Sequence, residues 1–301
     1  MLINRLGAID IGSNSVKLLI SDVINYKGQV INKKYLHTRI PLRLGDDTFL
    51  HGYISDDKKE KLAQLLQTFK YFLEINDTES YRVCATSALR EASNKQEIID
   101  YIAATVGVEV DIISSQDEAN FIFLNAIDEK YKPETLCVMV DVGGGSTEIV
   151  LSKGNELIEN KSFMLGTIRH LSPEQKRNEW IKLKTWLEDK TIRKKEICLI
   201  GSGGNINKIN SLFKRKGKMR RIDLNDYYRR LTHWNYEERI IKSDIGLNRS
   251  EVILPALNIY LNVMKFLKVD VIQIPVVGIA DGIIKDIYLK NTFQMDLQNE
   301  T

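Results

Sequence analysis

Val140-Asp-Val-Gly-Gly-Gly-Ser-Thr-Glu-Ile-Val-Leu151 and Ala8-Ile-Asp-Ile-Gly-Ser-Asn-Ser-Val-Lys-Leu-Leu-Ile20 read alike: an apolar strand with Asp near its end, a turn rich in glycine and serine, and a second apolar strand. A hairpin repeated in both halves of a chain predicts a duplicated fold. Outward from the first copy, residues 5–11, 15–24 and 29–40 are rich in β-branched residues and broken by Gly-Ser-Asn and Tyr-Lys-Gly, which predicts three antiparallel strands. Residues 57–73 carry Leu62, Leu65, Leu66, Phe69, Phe72 and Leu73 at helical spacing. A strand is expected over 81–85, a helix opened by a capping box at Asn94-Lys-Gln-Glu97 and ended at Gly107, a strand over 108–113, and a helix over 116–127.

Outward from the second copy the order returns: strands 136–142, 147–151 and 156–164, helix 174–187, strand 196–200 and helix 205–213. Residues 214–248 interrupt it with charged and aromatic side chains, after which a helix over 252–267, a strand over 271–274 and a helix over 281–289 restore the βα ending. The expected architecture is therefore an α/β fold made of two βββαβαβα domains with a cleft between them. Their boundaries fall at 1–127 and 128–283, and the last helix, about 284–301, packs back on the first domain.

The 301 residues are enough for two modest domains. With 43 Lys+Arg against 40 Asp+Glu the net charge is +3, too small for a protein that coats nucleic acid. Cys84, Cys137 and Cys198 sit far apart in apolar runs without CxxC spacing, which predicts buried reduced thiols and argues against a zinc site. His37, His51, His170 and His233 lack metal-ligand spacing. There is no apolar run of about 18 residues and no room for a signal peptide before the first strand, so a cytoplasmic protein is expected.

The two turns are the first chemical signal. Glycine and serine leave backbone N–H groups open to converge on a phosphate, so Ser13 and Asn14 in one turn and Gly143, Gly144, Gly145 and Ser146 in the other are candidate phosphate-binding residues. Asp10 and Asp141 precede the turns and Glu148 follows one, and oxygen donors of this kind suit Mg²⁺. Gly201-Ser-Gly-Gly-Asn205 leaves a strand and opens a helix, which makes Gly203 and Gly204 a third anion-binding candidate. It is not GxGxxG, and no GxxxxGK[ST] loop exists, which argues against a P-loop NTPase. The basic run from Lys214 to Arg221 would extend a positive path for a polyanion, or be a solvated loop. It lacks the aromatic interleaving of single-strand nucleic-acid binders.

Five stretches, 9–15, 85–94 (Ala-Thr-Ser-Ala-Leu-Arg-Glu-Ala-Ser-Asn), 113–119 (Ile-Ser-Ser-Gln-Asp-Glu-Ala), 140–148 and 200–205, together resemble the exopolyphosphatase/guanosine pentaphosphate phosphohydrolase (Ppx/GppA) family of the actin-like and sugar-kinase ATPase superfamily. The likeness extends weakly to Arg249–Pro255 and Val277–Gly282. It implies release of terminal phosphate from polyphosphate or the pentaphosphate alarmone pppGpp in an interdomain cleft, with Mg²⁺ and often as a homodimer. By motif, Glu118 is the residue expected to aim the attacking water, with Asp117 its rival, and Arg90 clamps a phosphate. Ala280 stands where family members often have Arg, and the sequence ends where long members continue into an HD-type region. Two other readings follow from the same residues: a nucleotide- or alarmone-sensing module without turnover, and an actin-like kinase or ATPase with a purine pocket near Gly203-Gly204. A cytoskeletal polymer is a weaker one.

Overall fold

The computed structural model describes residues 2–126, 134–192, 196–213 and 217–299, with side chains in the last helix described through residue 292. The contacts divide the chain into two compact units, Met1–Asn125 with Ile279–Thr301, and Ala126–Gly278. The chain thus returns to the first unit at Ile279, at the start of the last helix, and not at 284.

The first unit runs β1 (Leu2–Ile11), β2 (Val16–Tyr26), β3 (Gln29–Ile40), α1 (Leu44–His51), α2 (Asp56–Ile75), β4 (Ser80–Ala85), α3 (Ser87–Glu91), α4 (Lys95–Val106), β5 (Asp111–Ile112) and α5 (Ser115–Ala126). The second runs β6 (Leu136–Val142), β7 (Thr147–Lys153), β8 (Glu156–Phe163), α6 (Pro173–Thr191), β9 (Ile197–Ser202), α7 (Gly204–Leu212), β10 (Lys218–Arg220), α8 (Arg221–His233), α9 (Tyr236–Lys242), α10 (Leu247–Ser250), α11 (Ile253–Phe266) and β11 (Val271–Gln273), before α12 (Ile279–Asn299). Sheet order is β3-β2-β1-β4-β5 in one unit and β8-β7-β6-β9-β11-β10 in the other. Apart from the added edge strand β10 the order is the same, the duplicated α/β arrangement expected from the repeated hairpin.

Strand β1 is buried on both faces, which explains its unbroken apolar run. Ile9 and Ile11 join one core with Leu62, Leu66 and Phe69 of α2 and Ile98 and Ile102 of α4. Leu6 and Ala8 join a second with Phe121 of α5 and Ile283, Ile284 and Ile287 of α12. A third core fills the other unit around Val138, Val140, Leu183, Leu257 and Tyr260. Among the described residues no helix is long and apolar enough to cross a membrane.

Local expectations were corrected in several places. Asn94 precedes α4 but its side chain makes no cap; it is bonded both ways to the Ile54 backbone, while Glu97 pairs with Lys59 at 2.5 Å. A tertiary partner outcompeted the capping box. The strand expected over 108–113 shrinks to Asp111–Ile112, because only these residues pair with Cys84 and Ala85 of β4; Val108 and Val110 are spent on the core. The interruption after residue 213 holds an edge strand and three helices, and α1 and α3 lie in stretches to which no element was assigned from sequence. Lys214, Arg215 and Lys216 of the basic run, and Ile127 at the end of the α5 expectation, lie outside the described residues.

Candidate active site

The β1–β2 and β6–β7 turns close in the same way, Gly12 N donating to Ser15 O at 3.1 Å and Gly143 N to Ser146 O at 2.9 Å. Their central carbonyls are held from outside. Ser13 O accepts from Gly45 N at 2.8 Å and Asn14 O from Arg43 N at 3.2 Å; Gly143 O accepts from Thr167 N at 3.1 Å, Gly144 O from Ile168 N at 2.9 Å, and Gly145 O from Arg169 Nε at 2.7 Å. With the carbonyls committed, the amides of Ser13, Asn14, Gly144 and Gly145 make no hydrogen bond among the described residues. A turn with outward amides and anchored carbonyls is a ready concavity for an anion. The Asn14 Oδ1 is also buried without a hydrogen-bond partner, and the Ser13 hydroxyl meets the Ser87 hydroxyl of α3 at 2.8 Å.

The anchoring segments, residues 41–45 and 165–169, each follow the third strand of their sheet, and the sequence reading missed both. The available signal was Leu-Gly at Leu44-Gly45 and again at Leu165-Gly166. Gly166 has a steric reason: a Cβ there would collide with the Gly144 carbonyl and the Gly145 backbone.

Beside each turn, one row of residues crosses the sheet at equivalent places. In the first unit it reads Cys84, Asp10, Lys17, Arg39; in the second, Ser202, Asp141, Glu148, Ser162. Asp10 is 1% exposed and its Oδ2 accepts from Lys17 Nζ at 2.6 Å, while its Oδ1 is buried with no hydrogen-bond partner. Burial pushes the Cys84 thiol up to about 12. Asp141 and Glu148 are both buried, and hydroxyls reach them: Ser202 Oγ donates to Asp141 Oδ2 at 2.6 Å, and Ser146 Oγ and Ser162 Oγ donate to Glu148 Oε1 at 2.5 and 3.0 Å. Glu148 is thus turned into the protein and not toward solvent. Two carboxylates at cross-strand partner positions repel, and a hard divalent cation relieves that repulsion. The donor set, oxygen atoms only and two carboxylates, fits Mg²⁺, which is held by one or two carboxylates and keeps much of its water.

Glu118 and Arg90, assigned separately in the sequence, meet in the first unit. Glu118 is 3% exposed in the first turn of α5, and Arg90 Nη1 donates to its Oε1 at 2.5 Å and to Ile113 O at 2.8 Å. The guanidinium supplies the counter-charge that burial of a carboxylate demands. Asp117 is engaged otherwise. Its Oδ2 accepts from Ser114 N at 2.9 Å and Ser114 Oγ at 2.7 Å, and its N donates back to Ser114 Oγ at 3.1 Å, a reciprocal cap of α5. Those Ser114 hydrogen bonds hold the exposed Asp117 carboxyl below its ordinary range.

Gly203 and Gly204 lie where β9 hands over to α7. Gly203 adopts φ +102, and a Cβ on it would stand 3.3 Å from Asp141 Oδ1, so the loop folds tightly over that carboxylate. Tyr260 Oη donates to Ser202 O and Arg249 Nη1 to Gly204 O. In the described part of the basic run, Arg220 of β10 pairs with Asp223 and Arg221, which opens α8, with Asp270, both at 3.0 Å. The three cysteines are buried and outside any disulfide. Among the described residues no group of three or more His, Cys, Asp or Glu could hold a metal.

Comparison with known proteins places this geometry. Exopolyphosphatase 2 of Mycobacterium tuberculosis is 32% identical over 179 residues, 56% of this chain and 54% of that protein, so the chain spans about half the length of the curated relatives it matches. A solved Ppx/GppA family member from Aquifex aeolicus superposes with TM-score 0.76 at 25% identity, covering 96% of this chain and 99% of that one. An exopolyphosphatase structure from Cytophaga hutchinsonii, 22% identical, shares the fold with TM-score 0.77 over 93% of this chain and 96% of its own. The Ppx/GppA phosphatase family model matches residues 28–178, half of the chain, and the protein belongs to that family.

Proposed function

We propose that the protein is a Mg²⁺-dependent phosphohydrolase that releases terminal orthophosphate from inorganic polyphosphate or from pppGpp. The observation that carries this reading is the pair of anchored turns, whose Ser13, Asn14, Gly144 and Gly145 amides make no hydrogen bond among the described residues. Phosphoryl transfer asks chiefly for positioning and charge neutralisation, and backbone donors fixed within a turn supply both without a side chain's entropy cost.

In this reading Asp141 and Glu148 hold the cation, with the Ser202, Ser146 and Ser162 hydroxyls fixing the carboxylates' orientation. Mg²⁺, when bound there, neutralises phosphate charge as a Lewis acid. Asp10, a metal candidate in the sequence, has its Oδ2 paired with Lys17, and this reading leaves it out of the ligand set. Glu118 accepts a hydrogen bond from the attacking water and aims it, while Arg90 holds the Glu118 carboxylate in place. Asp117 serves the helix and not the water. Both candidate substrates present the same terminal phosphoanhydride, so the turns bind either one.

The test is phosphate release by the purified protein with Mg²⁺, offering polyphosphate, pppGpp and ATP in parallel and Glu118→Ala as the contamination control. Release from polyphosphate or pppGpp that disappears in the variant is the expected result. Saturable binding of either compound without release makes the protein a sensing module instead, and release from ATP alone makes it an ATPase.

A further inference from the structure

The Ala126–Gly278 unit holds a cleft apart from the glycine turns. It opens between α8 and α11, has a volume of about 610 Å³, the size of a small-molecule site, and has Asp270 and Val271 in its lining. β11 runs parallel to β9 with Ile272 opposite Leu199, so Val271 stands level with Cys198 near the start of β9, whereas the Gly203-Gly204 loop follows its end. Five residues of extended chain, roughly 16 Å, separate the two levels. The cleft is therefore no part of the phosphate turns.

Polar groups in it are left unused by the fold. Asn262 Nδ2 donates to Asn258 O at 2.8 Å and to Asn258 Oδ1 at 3.0 Å, which commits one donor side and one acceptor side of this i,i+4 pair. Among the described residues the Asn258 Nδ2, the Asn262 Oδ1, the Asn225 amide and the Tyr228 hydroxyl make no hydrogen bond. Ile222 and Val271 expose apolar surface in the same lining. Three cations line the cleft against the one carboxylate of Asp270. Arg220 and Arg221 have their aspartates, while Lys265, at the end of α11, has no ion pair among the described residues.

We infer that this cleft binds an adenine nucleotide, the asparagine amides taking the edge of the base, Tyr228 and Ile222 covering its faces, and Lys265 taking the phosphate. An asparagine side chain presents a donor beside an acceptor, the complement of adenine's amino group and neighbouring ring nitrogen. Aromatic and apolar side chains supply the surface on which a base stacks. A guanine edge would ask for a carboxylate, and the one in the lining is held by Arg221 at 3.0 Å. The ammonium meets a phosphate as a point charge. None of this depends on the phosphohydrolase reading.

The test is titration calorimetry of the full chain with adenosine 5′-monophosphate, and with adenosine, guanosine 5′-monophosphate and inorganic phosphate in parallel. Lys265→Glu and Asn262→Leu are compared with wild type, with each unliganded unfolding midpoint as the folding control. Saturable binding of adenosine monophosphate is expected, left within about twofold by saturating tripolyphosphate and Mg²⁺. Lys265→Glu should weaken it about fivefold or more and leave adenosine within about twofold; Asn262→Leu should weaken both about fivefold or more. The assignment is overturned if adenosine monophosphate shows no saturable binding at millimolar concentration, if tripolyphosphate displaces it, or if wild type and both variants bind it equally. Guanosine monophosphate bound as tightly removes the adenine assignment, and inorganic phosphate bound as tightly reduces the cleft to an anion patch. Losses that merely follow a lowered unfolding midpoint make Lys265 and Asn262 structural residues and end the proposal.

Discussion

The two hairpin rows occupy the same place in two copies of one sheet and carry opposite electrostatics. Asp10 faces Lys17 across β1–β2, and the pair closes at 2.6 Å. Asp141 faces Glu148 across β6–β7, and serine hydroxyls reach both carboxylates from the flanking strands. The turns beside them hardly differ in backbone hydrogen bonding. Duplication therefore preserved the backbone geometry of the turn, while the neighbouring charges diverged: one row sets an ammonium against its aspartate, and the other sets a second carboxylate there. The turn is kept because its hydrogen bonds are made by backbone, which survives the change from Gly-Ser-Asn-Ser to Gly-Gly-Gly-Ser, whereas the row beside it is made of side chains and is free to differ.

This contrast can be sharpened or broken by substitution. The largest effect is expected outside both rows, at Glu118→Gln, which should cut phosphate release by about 10²–10⁴-fold with the unfolding midpoint nearly kept, since the amide still accepts from Arg90. Next, Glu148→Lys gives the second row the electrostatics of the first; release should fall by about 10²–10³-fold and no longer respond to added Mg²⁺. Asp10→Asn is the matched change in the first row. It should leave the half-saturating Mg²⁺ concentration within about twofold, and a shift of tenfold or more would put the cation in the first row as well. Gly166→Ala should lower stability by about 2 kcal/mol or more in urea unfolding, because its Cβ meets the Gly144 carbonyl, whereas Gly12→Ala, 3.1 Å from Ser15 O, should cost less. The smallest effect is at the α5 cap, where Ser114→Ala should cost about 1 kcal/mol. The folded Asp117 pKa lies below its ordinary value, so this carboxylate's contribution is full above that value and is lost as pH falls through the folded pKa. The difference between wild type and Ser114→Ala should accordingly shrink on acidification below about pH 4.

The repeated hairpins were legible because a strand-turn-strand with glycine at the turn is a local pattern, read over about a dozen residues. The buried strands were legible for the same reason, their apolar runs being unbroken. Motif matching put Glu118 ahead of Asp117, and the physical difference between them shows only in three dimensions. Both sit in the first turn of α5, and their difference is which side of the helix each faces: Glu118 inward to Arg90, Asp117 outward to Ser114. The anchoring of the turns was invisible as well, since Gly45 and Thr167 reach Ser13 and Gly143 from beyond two intervening strands of the chain.

By itself, the sequence determined the α/β class, the duplication, the position of the two glycine- and serine-rich turns and the family, because these depend on periodicity, on glycine's conformational freedom and on motifs contiguous in the chain. Only the tertiary structure decided which charged groups face one another across the sheet. Lys17 and Glu148 both follow their aspartate by seven positions, and only the register across the sheet sets one ammonium and one carboxylate against the preceding acid. Charge balance is a property of neighbours in space, and strand pairing, helix packing and burial bring those neighbours together at sequence separations no local reading spans.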